Sequence, residues 1–382
     1  MINYSIIGTG RQGIASAFDI GRFGDAASIR LYDQNAYAAE KAAFRLNNLL
    51  STDIFSSGVV DVSDKIQMRE ILKKTDALLA GVPYYFLPDI TELAIECRTH
   101  MVDYGGNTAN AQKQGRLTQK AKEVGITIVP ECGMGPGMNI TLALLAMEQM
   151  DKPEHVSIWD GGLPQNPKPP WNYDLFFNIN GLTNEYDGHA SFLVDGIVTE
   201  VPCFERLETV DFPGFKDGLE AAVTSGGLST MPWTFEGKLH SLENKTLRFP
   251  GHWEWMKAFR QLGLFSESPI TVDKIEIVPR EFYHTLLESQ LDNGRVKDVC
   301  LMRVKCTGFN NGTPLTSLIN SVEYFDDDTG FSAMEKWTGW HASIMLIAAA
   351  RGELKQGVIP VEKVMSGSDF ARFAAQRDIH LQ

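Results

Sequence analysis

A strand, a glycine-rich turn and a helix open this chain in that order, and no other feature constrains the fold as strongly. The apolar run Met1-Ile2-Asn3-Tyr4-Ser5-Ile6-Ile7 reads as a buried strand and leads into Gly8-Thr9-Gly10-Arg11-Gln12-Gly13. A helical pattern follows, with Ile14, Ala17, Phe18 and Gly21 on one face. In G-x-G-x-x-G the first glycine makes the tight turn, the second lets the backbone approach a pyrophosphate, and the third lets helix and strand pack closely. The helix N-terminus then turns its free N–H groups and partial positive charge towards the phosphates. Gly8, Gly10, Arg11, Gln12 and Gly13 are therefore candidate cofactor contacts.

A second apolar strand at 28–32 ends at Asp33, twenty residues after Gly13, where a ribose-binding carboxylate belongs. Such a carboxylate accepts hydrogen bonds from both ribose hydroxyls of NAD and repels the 2′-phosphate of NADP. Asp33-Gln34 thus argues for NAD, while Arg30 on the same strand and Arg11 in the loop leave some tolerance of phosphate.

With 382 residues the chain is long enough for two domains, because single cores tend to split beyond ~250 to 300 residues. Its 43% hydrophobic and 22% charged residues are those of a soluble globular protein. The net charge of −13 disfavours nucleic acid and anionic membrane as partners. The longest helical apolar run, 344–350, is too short to span a bilayer, and no signal peptide is apparent. Five cysteines form no C-x-x-C pair and fit reduced thiols, so a cytoplasmic protein is expected.

Up to about residue 150, strands at 58–62, 76–80, 101–104 and 126–129 alternate with helices at 36–50, 64–73, 87–97 and 109–124. The pattern predicts an α/β chain opening with a Rossmann-type, doubly wound parallel sheet. Ligands of such sheets lie beyond the carboxyl ends of the strands. That rule singles out Asp61, Val82, Pro83, Tyr104, Gly105, Gly106 and Asn107 for the cofactor, and Glu131 beside Cys132. Around Pro153 the pattern changes, and 161–170 reads as a turn and polyproline stretch. Strands at 191–201 and 299–307, a hairpin turn at Asn310-Asn311-Gly312 and a return at 315–325 predict a mixed α/β second domain with a largely antiparallel sheet. We expect a dinucleotide domain over 1–135, a substrate domain over 136–332, and C-terminal helices from about 333–382 that pack back on the first.

Six stretches together resemble the saccharopine dehydrogenase-like oxidoreductases, and within them the L-lysine 6-dehydrogenase branch. Besides the glycine loop they are Asp103-Tyr104-Gly105-Gly106-Asn107-Thr108, 130–138, Gly161-Gly162-Leu163-Pro164, 224–232 and Lys245-Thr246-Leu247-Arg248-Phe249-Pro250-Gly251-His252. Saccharopine-forming members carry an acidic residue before the Pro-Gly of the third stretch, where this chain has Gly135, which favours the lysine branch. The resemblance also implies that Thr338-Gly339-Trp340-His341 lines the active site.

That resemblance implies NAD-dependent oxidation of the side-chain amine of L-lysine or a close relative, with no metal and with a homodimer or homotetramer as the assembly. An amino-acid substrate needs a cation for its carboxylate, and Arg248 offers a planar two-pronged donor; a surface strand arginine is the competing reading. His252 is the general-base candidate because imidazole titrates near neutrality, although a histidine opening a helix equally serves as a cap or a packing residue. Glu131 is a candidate for holding the substrate ammonium, and Thr224 with the Gly226-Gly227 pair for donating hydrogen bonds. Cys132 is read as packing, since hydride transfer needs no covalent intermediate. The alternatives are reductive condensation of the saccharopine or carboxynorspermidine type and, more remotely, a dinucleotide sensor without turnover. On the strength of Asp33, NAD should bind at least ~10-fold tighter than NADP, about 1.4 kcal/mol, and Asp33→Ala should narrow the gap. Equal affinities of the parent protein in dinucleotide titrations would remove this argument.

Overall fold

The computed structural model describes residues 1–291, 294 and 296–382. Strands β1 (Ile2–Ile7), β2 (Ala26–Asp33), β3 (Phe55–Val59), β4 (Ala77–Ala80), β5 (His100–Asp103) and β6 (Thr127–Val129) alternate with helices, as the periodicity predicts. Next come β7 (Lys152–Pro164), β8 (His189–Val194), β9 (Ile197–Pro202), β10 (Glu208–Phe212), β11 (Phe215–Val223) and β12 (Ser241–Arg248). A small ribbon of β13 (Ile270–Val272) and β14 (Ile275–Ile277) precedes the long hairpin β15 (Asp298–Asn310) and β16 (Thr313–Tyr324). A last short strand, β17 (Gly357–Val358), returns to the first sheet.

That first sheet has seven strands in the order β17-β6-β5-β4-β1-β2-β3, and every pairing in it is parallel. Alternation decides its two faces. Tyr4, Ile6, Leu79 and Val102 join one core, whereas Ile7, Leu78, Ala80 and Met101 pack with Met68, Leu87 and Ile90 in another. The second sheet runs β10-β11-β12-β7-β15-β16, with β8 and β9 attached through β12. Its pairings are antiparallel except β12 with β7. The architecture is thus α/β, a parallel Rossmann-like sheet followed by a mixed one. Among the described residues no helix is long and apolar enough to cross a membrane.

Several local expectations need correction. Residues 161–164 are not turn or polyproline but the end of β7, where Gly161-Gly162-Leu163 is paired with β15; the glycines admit close neighbours, with Met334, Cys300 and Phe176 around Gly162. The helix expected at 109–124 is two, Thr108–Gly115 and Thr118–Val124, parted after a glycine, the weakest helix former after proline. The strand expected at 191–201 is a hairpin turning at Asp195 and Gly196, both at positive φ. The segment Thr338-Gly339-Trp340-His341 lies within the helix Ala333–Ala350, where Gly339, Trp340 and His341 are buried and Thr338 is half-buried. There a Cβ on Gly339 would lie 2.8 Å from that of Ala15, and His341 is fully buried against Thr141 and Phe370.

The helix Ala333–Ala350 packs against the helix Arg11–Phe23, against β4, β5 and β6, and against β15 and β16 of the second sheet. A buried ion pair locks this contact. Arg377 Nε donates to both oxygens of Asp19 at 2.9 and 2.8 Å, and the Ser343 hydroxyl donates to the same carboxylate. Removing one member of such a pair leaves a bare charge in a low-dielectric interior. Arg377→Met should therefore lower unfolding free energy by about 3–5 kcal/mol, and adding Asp19→Leu should recover most of the loss. Equal losses for the single and double variants in urea unfolding would contradict this account.

Candidate active site at the junction of the two sheets

The glycine loop has the mechanical features its spacing predicts. Gly8 sits at φ 95°, a conformation that favours glycine, and its Cβ would run into the Gly81 carbonyl. A Cβ on Gly13 would collide with the Gly8 carbonyl, whereas around Gly10 there is open space within 4 Å. The helix that starts at Arg11 has no side-chain cap. Its first N–H groups and the space beside Gly10 fit a pyrophosphate. Arg11 is turned across to the segment between β7 and β8, where Nη1 donates to the Leu175 carbonyl at 3.0 Å. Gln12 is half-buried beside it.

Asp33 lies at the end of β2, where its Oδ2 accepts the Thr9 N–H at 2.8 Å and the Thr9 hydroxyl at 2.9 Å. Oδ1 accepts the Asn35 N–H at 3.0 Å. Partial burial works to raise its pKa, but these donors and the exposed Gln34 N–H outweigh it and hold the carboxyl below its usual value. Asp61 is fully exposed and caps its own turn through Ser63. Val82 is half-buried and Pro83 exposed just beyond β4. Tyr104 reaches under the loop instead of outwards, its hydroxyl 2.7 Å from that of Ser16.

Glu131 follows β6 and is 2% exposed, at φ 60°. Asp103 fixes this corner, accepting the N–H groups of Glu131 at 3.0 Å and Gly105 at 2.9 Å. The Glu131 carboxylate accepts from the Ser229 hydroxyl and the Gly106 N–H. Burial pushes its pKa up to about 7, against the pull of those donors. Gly105 must lack a side chain because a Cβ there would strike Glu131. Gly106 and Asn107 border a cleft of about 480 Å³ whose other wall includes Ser225, Gly226, Gly227 and Arg280. Arg280 is neutralised by Asp187 and Glu267. Cys132 is fully buried and its thiol pushed far up, as a packing residue should be.

A second polar cluster stands on the inward face of the second sheet. Along β12, Asn244, Thr246 and Arg248 share one face, while Leu247 points to an apolar core on the other. Arg248 is not a surface arginine; it is 3% exposed. Its Nε donates to the Tyr186 hydroxyl at 2.8 Å, Nη1 to the Leu247 carbonyl, and Nη2 stands 3.9 Å from Glu185. The Tyr173 ring lies beneath it at 4.9 Å. Thr246 is in register with Asp160 on β7, and the Thr224 hydroxyl is 2.7 Å from that of Thr246. Burial pushes Asp160 up to about 6, opposed by Asn244 and Arg248. Enclosure also pushes Glu185 up to about 7, although its side chain keeps 34% exposure and water screens it accordingly.

His252 departs from what the sequence suggests. It does open the helix His252–Gln261, but the ring is 1% exposed, with Nε2 3.0 Å from the Tyr186 hydroxyl. Burial, reinforced by the Arg248 cation, pushes its pKa down to about 3. A ring so placed is not a base titrating near 6.5; it orients Tyr186. Sequence reasoning passed over Asp160, Tyr173, Glu185, Tyr186 and Ser229. Asp160 left a signal as a carboxylate inside the apolar strand Ser157-Ile158-Trp159-Asp160, and Ser229 lies in the stretch 224–232 that carries the resemblance.

Buried neutral His252 and His341, both pushed down to about 3, make a stability prediction. Because the folded pKa lies below the unfolded ~6.5, their contribution is complete above that pH and is lost as pH falls towards 3. Between about pH 7.5 and 4.5 the advantage of the parent over His252→Gln should shrink by about 2–3 kcal/mol. Parallel stability curves in urea titrations would mean that the ring ionises normally.

Two family models match the chain. The saccharopine dehydrogenase NADP binding domain covers residues 5–129, and the saccharopine dehydrogenase C-terminal domain covers residues 133–376. A saccharopine dehydrogenase (NADP(+), L-glutamate-forming) of Pyricularia oryzae is 26% identical over 221 residues, 54% of this chain and 47% of that protein. The Saccharomyces cerevisiae protein of the same description is 22% identical, over 54% of this chain and 48% of its own length. The mitochondrial alpha-aminoadipic semialdehyde synthase of Mus musculus is 25% identical over 52% of this chain and 22% of its own. In these alignments the chain spans about half the length of the two dehydrogenases. The solved apo saccharopine dehydrogenase (L-Glu forming) from Saccharomyces cerevisiae shares the fold, with a TM-score of 0.78 at 17% identity over 100% of this chain and 99% of that one. These relatives are saccharopine dehydrogenases and a synthase, not the lysine 6-dehydrogenase branch that Gly135 suggests.

Proposed function

The chain belongs to the saccharopine dehydrogenase family, and from that premise we propose that it is an NAD-linked oxidoreductase acting on the side-chain amine of L-lysine or a close relative. The products are a semialdehyde, ammonium and reduced cofactor. Bound in the glycine loop, the dinucleotide supplies the acceptor for the hydride on the carbon that bears nitrogen; water then hydrolyses the substrate iminium to aldehyde and ammonium. NAD is favoured over NADP by the ionised Asp33, which would repel a 2′-phosphate.

One observation carries the substrate reading. Among the described residues Arg248 is flanked by the two carboxylates Asp160 and Glu185, and Glu131 follows β6. A cluster with more acids than bases suits a substrate with more amines than carboxylates. Lysine meets that requirement, whereas saccharopine, with three carboxylates, does not. Arg248 would take the α-carboxylate. Glu131, pushed up to about 7, is matched to accepting the proton that the ε-ammonium must lose before hydride can leave. The names of the relatives favour a second reading, oxidation of a secondary amine of the saccharopine type.

NADH formation with L-lysine, saccharopine and diamines separates the two. Lysine should be oxidised, with a rate that rises as pH passes through about 7. Glu131→Gln should flatten that rise and cut kcat by roughly 10²-fold or more. Oxidation of saccharopine without lysine would replace the first reading by the second.

A further inference from the structure

Among the described residues, Asp160 has no ion-pair partner in direct contact to offset its burial. It is 6% exposed on a central strand, paired through its backbone with Thr246 on one side and Met302 on the other. One oxygen, Oδ1, accepts the Asn244 amide at 2.9 Å; Asn244 is itself held by Asn139 at 2.7 Å, so this oxygen is fixed in place. The other oxygen, Oδ2, lies over Gly135, where a Cβ would approach it to 2.5 Å. The bare Cα at 135 thus makes the room that Oδ2 occupies. Thr246 faces Asp160 directly, and Arg248 is two residues further along the same face of β12. Gly162 is the next residue of β7 on the face of Asp160, and the room its missing side chain leaves is taken by Met334, whose Cε a Cβ there would meet at 2.6 Å; a Cβ on Gly161 would stand 3.3 Å from Arg248 Nη1. A guanidinium and a carboxylate thus stand on one sheet face, two residues apart in register.

Two opposite charges spaced on one wall match the head of a free α-amino acid, which carries a carboxylate and an ammonium on the same carbon. We propose that Asp160 binds the α-ammonium of the substrate while Arg248 binds its α-carboxylate, so that the pair selects free α-amino acids over amines that lack either group. This rests on the function proposed above, in which the reacting amine is the distal one and lies towards Glu131. Glu185 is the rival anion, but it is partly exposed and already faces Nη2 of Arg248 at 3.9 Å. The inference also gives Gly135 a specific duty, because any side chain there would push Oδ2 away.

The test compares L-lysine with 6-aminohexanoate, which is lysine without its α-ammonium, by steady-state NADH formation. The parent enzyme should prefer lysine by roughly 10²-fold in kcat/KM, the scale of rejecting a ligand that leaves a buried charged group unpaired. Asp160→Asn should raise KM for lysine by roughly that factor, leave kcat within a few-fold, and bring the two substrates close to parity. Gly135→Ala, which keeps the charge but displaces it, should lose part of the preference. NAD titration and melting temperature serve as the folding controls for both variants. A preference that survives Asp160→Asn, or that vanishes in Glu185→Gln instead, overturns the assignment, as does a parent enzyme whose best substrate is a diamine. If saccharopine alone is oxidised, the function proposed above falls but this inference does not. Saccharopine keeps the α-ammonium of its lysine part, and the same comparison is then run with its α-deamino analogue.

Discussion

The close contact between the helices Arg11–Phe23 and Ala333–Ala350 is the constraint on which the cleft depends. Gly339 lets the two backbones approach, and Ser16 Oγ donates to its carbonyl at 2.7 Å. Buried where it is, the second of these helices touches both sheets. Its start is fixed by Asp298 at the head of β15, whose two oxygens accept the N–H groups of Ala333 at 2.7 Å and Met334 at 2.9 Å. The carboxyl ends of the parallel strands therefore meet the inward face of the second sheet at a set distance. Residues 164 or more apart in sequence, such as Arg11 and Leu175, come into contact as a result.

Within that frame, the chemistry follows from burying several acids near few bases. Glu131, Asp160 and Glu185 are each pushed up to between about 6 and 7, largely by removal from water. Groups that titrate near neutrality are the ones able to pass protons at working pH. The same low dielectric has the opposite effect on His252, which it silences as a base. Residue type alone suggested imidazole chemistry; in the function proposed above the carboxylates take that part.

How far the sequence could be read differs between the two halves. In the first, each strand is a short apolar run closed by a turn and each helix has its own period, so Gly8, Gly13, Asp33 and Glu131 could be placed by position after a strand. In the second, the decisive contacts are long-range. Tyr186 and Glu185 reach Arg248 from 62 and 63 positions away in helical and loop sequence that shows no distinctive period. Gly161-Gly162 was misread because glycine and proline punctuate loops far more often than they mark a strand approached closely by neighbours. The strand β17 has two residues and no pattern to detect. Trp340-His341 was assigned to the site because the resemblance implies it, yet both side chains are buried within the helix Ala333–Ala350.

Asp33 has a consequence for protein engineering. Its carboxylate at the end of β2 accepts both the N–H and the hydroxyl of Thr9. On the NAD preference proposed above, dinucleotide choice and the hold on the glycine loop rest on one side chain. A redesign that deletes the charge outright also frees Thr9, and it would slacken the grip on the pyrophosphate whichever dinucleotide is offered. Asparagine at this position keeps an acceptor oxygen for Thr9 while removing the charge, so a switch of cofactor has to start there and build its phosphate-binding cation elsewhere.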